Sequence, residues 1–191
     1  GLLIGIPALR APLSGAINVS VTPTLTWDSV LFATGYVLQV STDPNFATYT
    51  YNGSIVGLSH TISTPLNYST VYYWRVAASG ATVAQGDWSA VWSFRTKLPP
   101  LVAPNLIAPA NAATNVEVSP TFSWSSVPTS TSYMLQISTE SSFTTLTAVE
   151  IVTNTSKTVT GLAGTTQYYW RVRALRGTEQ GEWSEVWSFT T

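Results

Sequence analysis

The side chains of this sequence that could do chemistry are few and widely spaced. There is one histidine, His60, and no cysteine. A Ser-His-Asp triad can therefore be built at most once, and a thiol nucleophile, a disulfide or a thiolate-bound metal not at all. A zinc site based on imidazole lacks its second histidine. Paired carboxylates, the requirement of glycoside hydrolysis, come nearest to being met at Glu179, Glu182 and Glu185. Those three lie in a turn-like stretch that makes no cleft, and their plainer role is to keep a strand edge soluble. Asp43, in Asp43-Pro-Asn45, offers a single carboxylate toward a calcium ion that takes six or more oxygens. No catalytic residue, metal ligand or cofactor is expected. The densest cluster is aromatic: Trp88 and Tyr73 around Arg75, and Trp183 and Tyr169 around Arg171. Such rings either stack on a sugar or carry a guanidinium on the π-face, a contact of about 0.5–2 kcal/mol. Of the two, the structural reading is preferred.

These residues recur because the chain repeats. Pro23-Thr-Leu-Thr-Trp27 returns as Pro120-Thr-Phe-Ser-Trp124, and Tyr36-Val-Leu-Gln as Tyr133-Met-Leu-Gln, both displaced by 97 positions. Tyr72-Tyr-Trp-Arg-Val76 returns as Tyr168-Tyr-Trp-Arg-Val172 at a displacement of 96, and Trp88-Ser-Ala-Val-Trp-Ser-Phe94 as Trp183-Ser-Glu-Val-Trp-Ser-Phe189 at 95. Each step down places a one-residue deletion in a loop. In this register His60 falls opposite Lys157, an exposed strand position. A period this long is a whole domain rather than a solenoid unit. The expected division is an apolar lead-in at 1–6, a domain at 7–97, a Pro-rich linker at 98–103 and a second domain at 104–191. Pro99-Pro100 favours an extended, semi-rigid connection, which would set the copies in tandem and end to end.

The elements that must position these groups read as strands. Leu25/Trp27, Tyr36/Leu38/Val40, Tyr72/Trp74/Val76 and Trp92/Phe94 each alternate with more polar neighbours, the period of a half-buried strand. No amphipathic helix of ten residues is present. Each copy offers about seven short strands, enough for a β-sandwich. Trp27, Trp124, Trp74 and Trp170 are the expected large core residues. Leu66 and Leu162 each stand six positions before a tyrosine, Tyr72 and Tyr168. That spacing fits a tyrosine corner, in which a buried ring sends its hydroxyl back to upstream backbone.

Composition narrows the function classes. Trp 8, Tyr 9 and Phe 6 supply ample core, which excludes a disordered tail. Eight Lys+Arg against nine Asp+Glu leave a net charge of −1 with no basic block, so nucleic acid is not an expected partner. No apolar run reaches the roughly 18 residues of a membrane span, and no signal peptide is visible. Only 9% of residues are charged, while 23 Ser and 29 Thr supply the polar surface.

Both copies resemble fibronectin type III domains, in the style of bacterial secreted and surface proteins. The resemblance rests on the opening Pro7/Leu9/Pro12 and Pro104/Leu106/Pro109, the B-strand Trp27 and Trp124, the Tyr-x-Leu-Gln strand, the YYWRV strand with its upstream leucine, and the ending WSxxWSFxT. It implies an all-β fold of two tandem seven-stranded antiparallel sandwiches, Ig-like in architecture. The family's Arg-Gly-Asp is absent, so integrin binding does not carry over. The function expected is a non-enzymatic extracellular or cell-surface module, acting as spacer, adhesion or protein-interaction unit. Its partners would be other domains or subunits of the same protein. The alternative is a glycan-binding accessory segment of a secreted polysaccharide-active enzyme. The chain begins at Gly1 rather than Met, and both ends are expected to be cut from a longer protein. Leu2, Leu3, Ile4 and Ile6 form an uncharged β-prone segment that either packs on its own domain or adds as a strand to another subunit, giving a homo-oligomer or fibre.

Overall fold

The computed structural model describes residues 4–191. The chain divides into two compact units, Gly1–Pro99 and Pro100–Thr191. In chain order the first contains β1 (Leu9–Ala11), β2 (Ala16–Val19), β3 (Thr24–Trp27), β4 (Gly35–Ser41), β5 (Tyr51–Ile55), β6 (Ser59–Thr61), β7 (Val71–Ser79) and β8 (Trp92–Thr96). The second contains β9 (Leu106–Ala108), β10 (Thr121–Trp124), β11 (Ser132–Ser138), β12 (Ala148–Val152), β13 (Ser156–Thr158), β14 (Gln167–Arg176), β15 (Glu179–Trp183) and β16 (Trp187–Thr190).

Each unit packs a three-stranded sheet on a five-stranded one. The orders are β1-β3-β6 against β2-β8-β7-β4-β5 in the first unit, and β9-β10-β13 against β12-β11-β14-β15, with β16 also on β14, in the second. Alternation puts Leu25 and Trp27 of β3 on the same core as Leu38 and Val40 of β4 and Trp74 and Val76 of β7. The same positions in the second unit are Phe122, Trp124, Leu135, Ile137, Trp170 and Val172. Ring contacts cross between sheets, as at Trp27–Tyr36 (5.6 Å) and Phe122–Trp170 (5.0 Å). Burying a side chain of this size stabilises the fold by about 1.5–3 kcal/mol, and each core has a dozen or so such residues.

The expected all-β tandem of sandwiches is present, with two differences in detail. The pairing is not wholly antiparallel, because β2 runs parallel to β8. After β1 the chain turns at Gly15, whose φ of +79° suits glycine, and crosses to the other sheet without reversing. In the second unit the same crossing leaves a single parallel bridge, Ala113 to Phe189. The strand count is eight in each unit: in the first the opening strand is divided into β1 and β2, and in the second the last strand is broken into β15 and β16 around Ser184. The division between the units falls inside the Pro-rich stretch, and Leu101 already belongs to the second core, only 4% exposed.

Candidate functional site

The aromatic cluster sits on the outward face of each five-stranded sheet. Alternation along β7 turns Tyr72 and Trp74 inward and leaves Tyr73 and Arg75 facing out; β14 repeats this with Tyr168, Trp170, Tyr169 and Arg171. Arg75 is clamped: its guanidinium carbon lies 4.1 Å from the Phe46 ring centre and 4.3 Å from that of Trp88. Its Nε donates to Gln39 Oε1 at 2.9 Å. Arg171 repeats the clamp with Phe143 (4.2 Å), Trp183 (4.1 Å) and two hydrogen bonds to Gln136 Oε1. Tyr73 and Tyr169 share the face, but the second ring on each guanidinium is a phenylalanine from the turn after β4 or β11. Phe46 and Phe143 were not foreseen as site residues. Their signal was the repeat itself, since both follow a Ser-Thr pair at the same displacement as the tyrosine strand.

Those turns are built to present the phenylalanines. Ser41 Oγ donates to Thr48 O at 2.6 Å and accepts the Asp43 N–H at 2.9 Å; Ser138 does the same with Thr145 and Glu140. In the first unit Asp43 also accepts the N–H groups of Asn45 and Ala47, and these bonds hold its carboxyl below the usual range. Asp43 is thus a turn cap rather than a calcium ligand.

The second unit adds a cation. Arg173 stands where the first unit has fully buried Ala77, and its guanidinium lies 4.4 Å from the Trp183 ring. Its Nη2 contacts Met134 Sδ at 3.6 Å, and its buried Nε has no partner. Burial, and then the neighbouring Arg173, push the Arg171 pKa down. So a ring face of Trp88 and of Trp183 is covered by a guanidinium of its own unit and is closed there to a stacking sugar.

The four tyrosines of the core clasp backbone. Tyr72 Oη accepts the Asn67 N–H at 3.0 Å, and Tyr168 Oη that of Ala163 at 2.9 Å, with Leu66 and Leu162 buried beside them. Tyr36 and Tyr133 do the same for Val30 (3.0 Å) and Val127 (2.9 Å), a role that strand periodicity does not reveal. Trp27, Trp74, Trp124 and Trp170 are each at most 2% exposed, and none of their indole N–H groups has a partner. The buried serines of the Trp-Ser pairs bridge the break in the last strand. Ser89 Oγ accepts the Val76 N–H at 3.0 Å, and Ser184 Oγ accepts that of Val172 at 2.9 Å.

The remaining candidates stand apart from one another. His60 is half-buried rather than solvated, its ring tilted against that of Tyr51 with centres 4.4 Å apart, and burial lowers its pKa. It borders a cleft of about 220 Å³ with Ile62, Pro65 and Leu66. Glu179 forms a two-pronged ion pair with Arg176, at 2.8 Å and 3.0 Å, while Glu182 and Glu185 are exposed. Among the described residues no three His, Cys, Asp or Glu side chains are grouped to hold a metal. Of the lead-in, Leu2 and Leu3 lie outside the described residues. Ile4 packs on the core of its own unit, and Ile6 is 57% exposed. Ile4 lies so close to Gly86 that an added Cβ would come within 2.4 Å of it; Leu101 occupies the same notch at Gly181, 2.8 Å away.

No family model and no curated protein matches the chain. Among solved structures it is similar to the chicken CNTN1 FN1-FN3 domains, at 17% identity and a TM-score of 0.47, over 97% of this chain. The chain spans 66% of that structure's length. What its own strand order shows is the fold: two successive β-sandwiches of the fibronectin type III-like kind.

Proposed function

We propose that the chain is a non-enzymatic, extracellular module, serving as a spacer or protein-interaction segment of a secreted or surface protein. The observation that carries this reading is the arginine clamp, built twice. Several of the side chains that looked chemically able are used on one another: Arg75 and Arg171 between two rings, Glu179 on Arg176, His60 on Tyr51. Groups held this way stiffen a sheet face and are poorly placed to meet a substrate. A surface rich in hydroxyls and poor in charge also suits a module whose stability depends little on salt. The bacterial surface-protein resemblance supports the location. The glycan-binding alternative is weaker, because it needs an open ring face on Trp88 or Trp183.

The test has two arms. An antibody to the chain should label intact cells, and protease added outside them should remove the label; an exclusively internal signal overturns the location. Broad hydrolase and transferase panels should show no turnover. An activity abolished by His60→Ala overturns the non-enzymatic reading.

A further inference from the structure

Strand edges decide what a β-sandwich can join, because an unpaired edge offers backbone donors and acceptors to another chain. Most edges of this protein are blunted. Strands β1, β6, β9 and β13 are three residues long. β2 is four residues long, contains Asn18 at a φ of +58°, and shifts register against β8. β5 reads Tyr-Asn-Gly-Ser-Ile, with Gly53 at its centre and polar Asn52 and Ser54 facing out. β15 carries Glu179 and Glu182.

β12 has only one of these devices, the single charge of Glu150, and that charge is paired within the unit by Lys157. The strand is five residues of Ala-Val-Glu-Ile-Val, without Gly, Pro or bulge, and it pairs only with β11 in continuous register. Its outward side chains are apolar: Val149 is 47% exposed and Ile151 62%. Ile151 stands beside Met134, which widens the apolar strip.

Two features say what fits this edge. The strand is nearly palindromic about Glu150, with Val149 and Ile151 outward and Ala148 and Val152 inward. An antiparallel partner of the same sequence therefore meets like with like on both faces. Glu150 also forms an ion pair with Lys157 at 3.2 Å, on the neighbouring edge of the other sheet. A two-fold axis through Glu150 sets the two carboxylates opposite each other, a repulsion that the Lys157 ammonium of each copy offsets.

We propose that β12 pairs antiparallel with β12 of a second copy of this chain, about a two-fold axis at Glu150, joining two second units into one continuous sheet. Val149 of each copy lies opposite Ile151 of the other. The contact is isologous and closes as a dimer, unlike head-to-tail strand donation, which would grow a fibre. It goes beyond the module reading above and does not depend on where the protein resides.

The absence of native cysteine makes the test clean. Directly opposed residues of an antiparallel pair have Cβ atoms about 4.5–5.5 Å apart, so Glu150→Cys should give an interchain disulfide under mild oxidant. Asn52→Cys, on the equivalent edge of the first unit, should not. In sedimentation equilibrium the wild type should show a concentration-dependent dimer. Ile151→Lys should weaken association by more than about thirtyfold, with its circular dichroism and its thermal midpoint at monomeric dilution unchanged. A wild type that stays monomeric into the high micromolar range overturns the proposal, even if β12 then captures a strand of another protein. So does a dimer that Ile151→Lys leaves intact or that Glu150→Cys fails to cross-link.

Discussion

Trp74 and Trp170 are both fully enclosed, whereas the strands that border their sheets, β5 and β12, have little in common. In the interior the two units match position by position: Trp27 with Trp124, Leu38 with Leu135, Val76 with Val172, Phe94 with Phe189. At the sides they diverge. His60 packs against Tyr51, whereas its counterpart Lys157 pairs with Glu150, which stands where the first unit has Gly53. Ala77 gives way to Arg173, and an irregular connection from Gly80 to Gly86 gives way to a tight hairpin turned at Gly177 and closed by Arg176 and Glu179. The second unit's loop is one residue shorter, and there the first half of the last strand is regular β15. The lesson is that close packing holds the inner positions, where a methylene matters, while edges are free to acquire separate binding properties.

The largest expected effect breaks the matching interior. Trp27→Ala and Trp124→Ala should each cost about 3–5 kcal/mol through the cavity they leave between the sheets. The two costs should be alike, read as unit-resolved unfolding by NMR in urea; a difference of several-fold means the cores are less equivalent than they look. Next come the backbone clasps. Tyr72→Phe and Tyr168→Phe keep the ring but strand a backbone N–H, at about 1–3 kcal/mol each, and each loss should appear in its own unit.

Glycine replacement at the notch should separate the units. In Gly181→Ala the new methyl meets the Leu101 carbonyl oxygen at 2.9 Å as well as its Cβ, and backbone cannot swing away. In Gly86→Ala the close atom is the Ile4 Cγ2 methyl, a side-chain atom, and the nearest backbone oxygen is farther off at 3.4 Å. The first should lose about 1–3 kcal/mol by overpacking and the second less, measured by thermal unfolding of each unit.

The smallest effect is in pH. Burial favours neutral His60, so its folded pKa lies below the ordinary value of 6.5. The unfolded chain then binds more protons in that window, and the first unit is stable above it and weakens as pH falls through it. Asp28, held down chiefly by its hydrogen bond from Arg10, and Asp43, held down by backbone N–H groups, contribute above their ordinary 3.8 and lose that contribution as pH drops further. All three groups belong to the first unit. Acid titration followed by unit-resolved unfolding should therefore show the first unit losing ground before the second; the reverse order would refute this assignment.

Much of the fold was legible because the repeat displays the same strand periodicity twice. Tyr72 and Tyr168 announced themselves by their distance from Leu66 and Leu162, and the four core tryptophans by strand parity. Less of the outward face could be read. Phe46 and Phe143 reach the arginines from turn residues at positive φ, +57° and +54°, a contact across sequence that no local period encodes. Arg173 was hidden because its counterpart is an alanine. The β2–β8 pairing depends on the chain changing sheets, and alternation says only which side chains share a face, not which neighbour a strand will choose.

That parallel pairing has a mechanical consequence. The first and last strands of a unit are where tension drawn through the chain ends enters and leaves. Because β2 and β8 run in the same direction, such a pull slides them lengthwise past each other, and the bonds that join them, including Gly15 N–H to Ser93 O (2.7 Å) and Lys97 N–H to Val19 O (2.8 Å), are strained together rather than opened one after another. In the second unit the bonds of Ala112 to Ser188 and of Val116 to Thr190 stand in the same attitude to the load. Each sandwich is thus closed at its terminal strands by a fastening that resists shear, so that a stretched chain would yield abruptly, one unit at a time, instead of unzipping gradually.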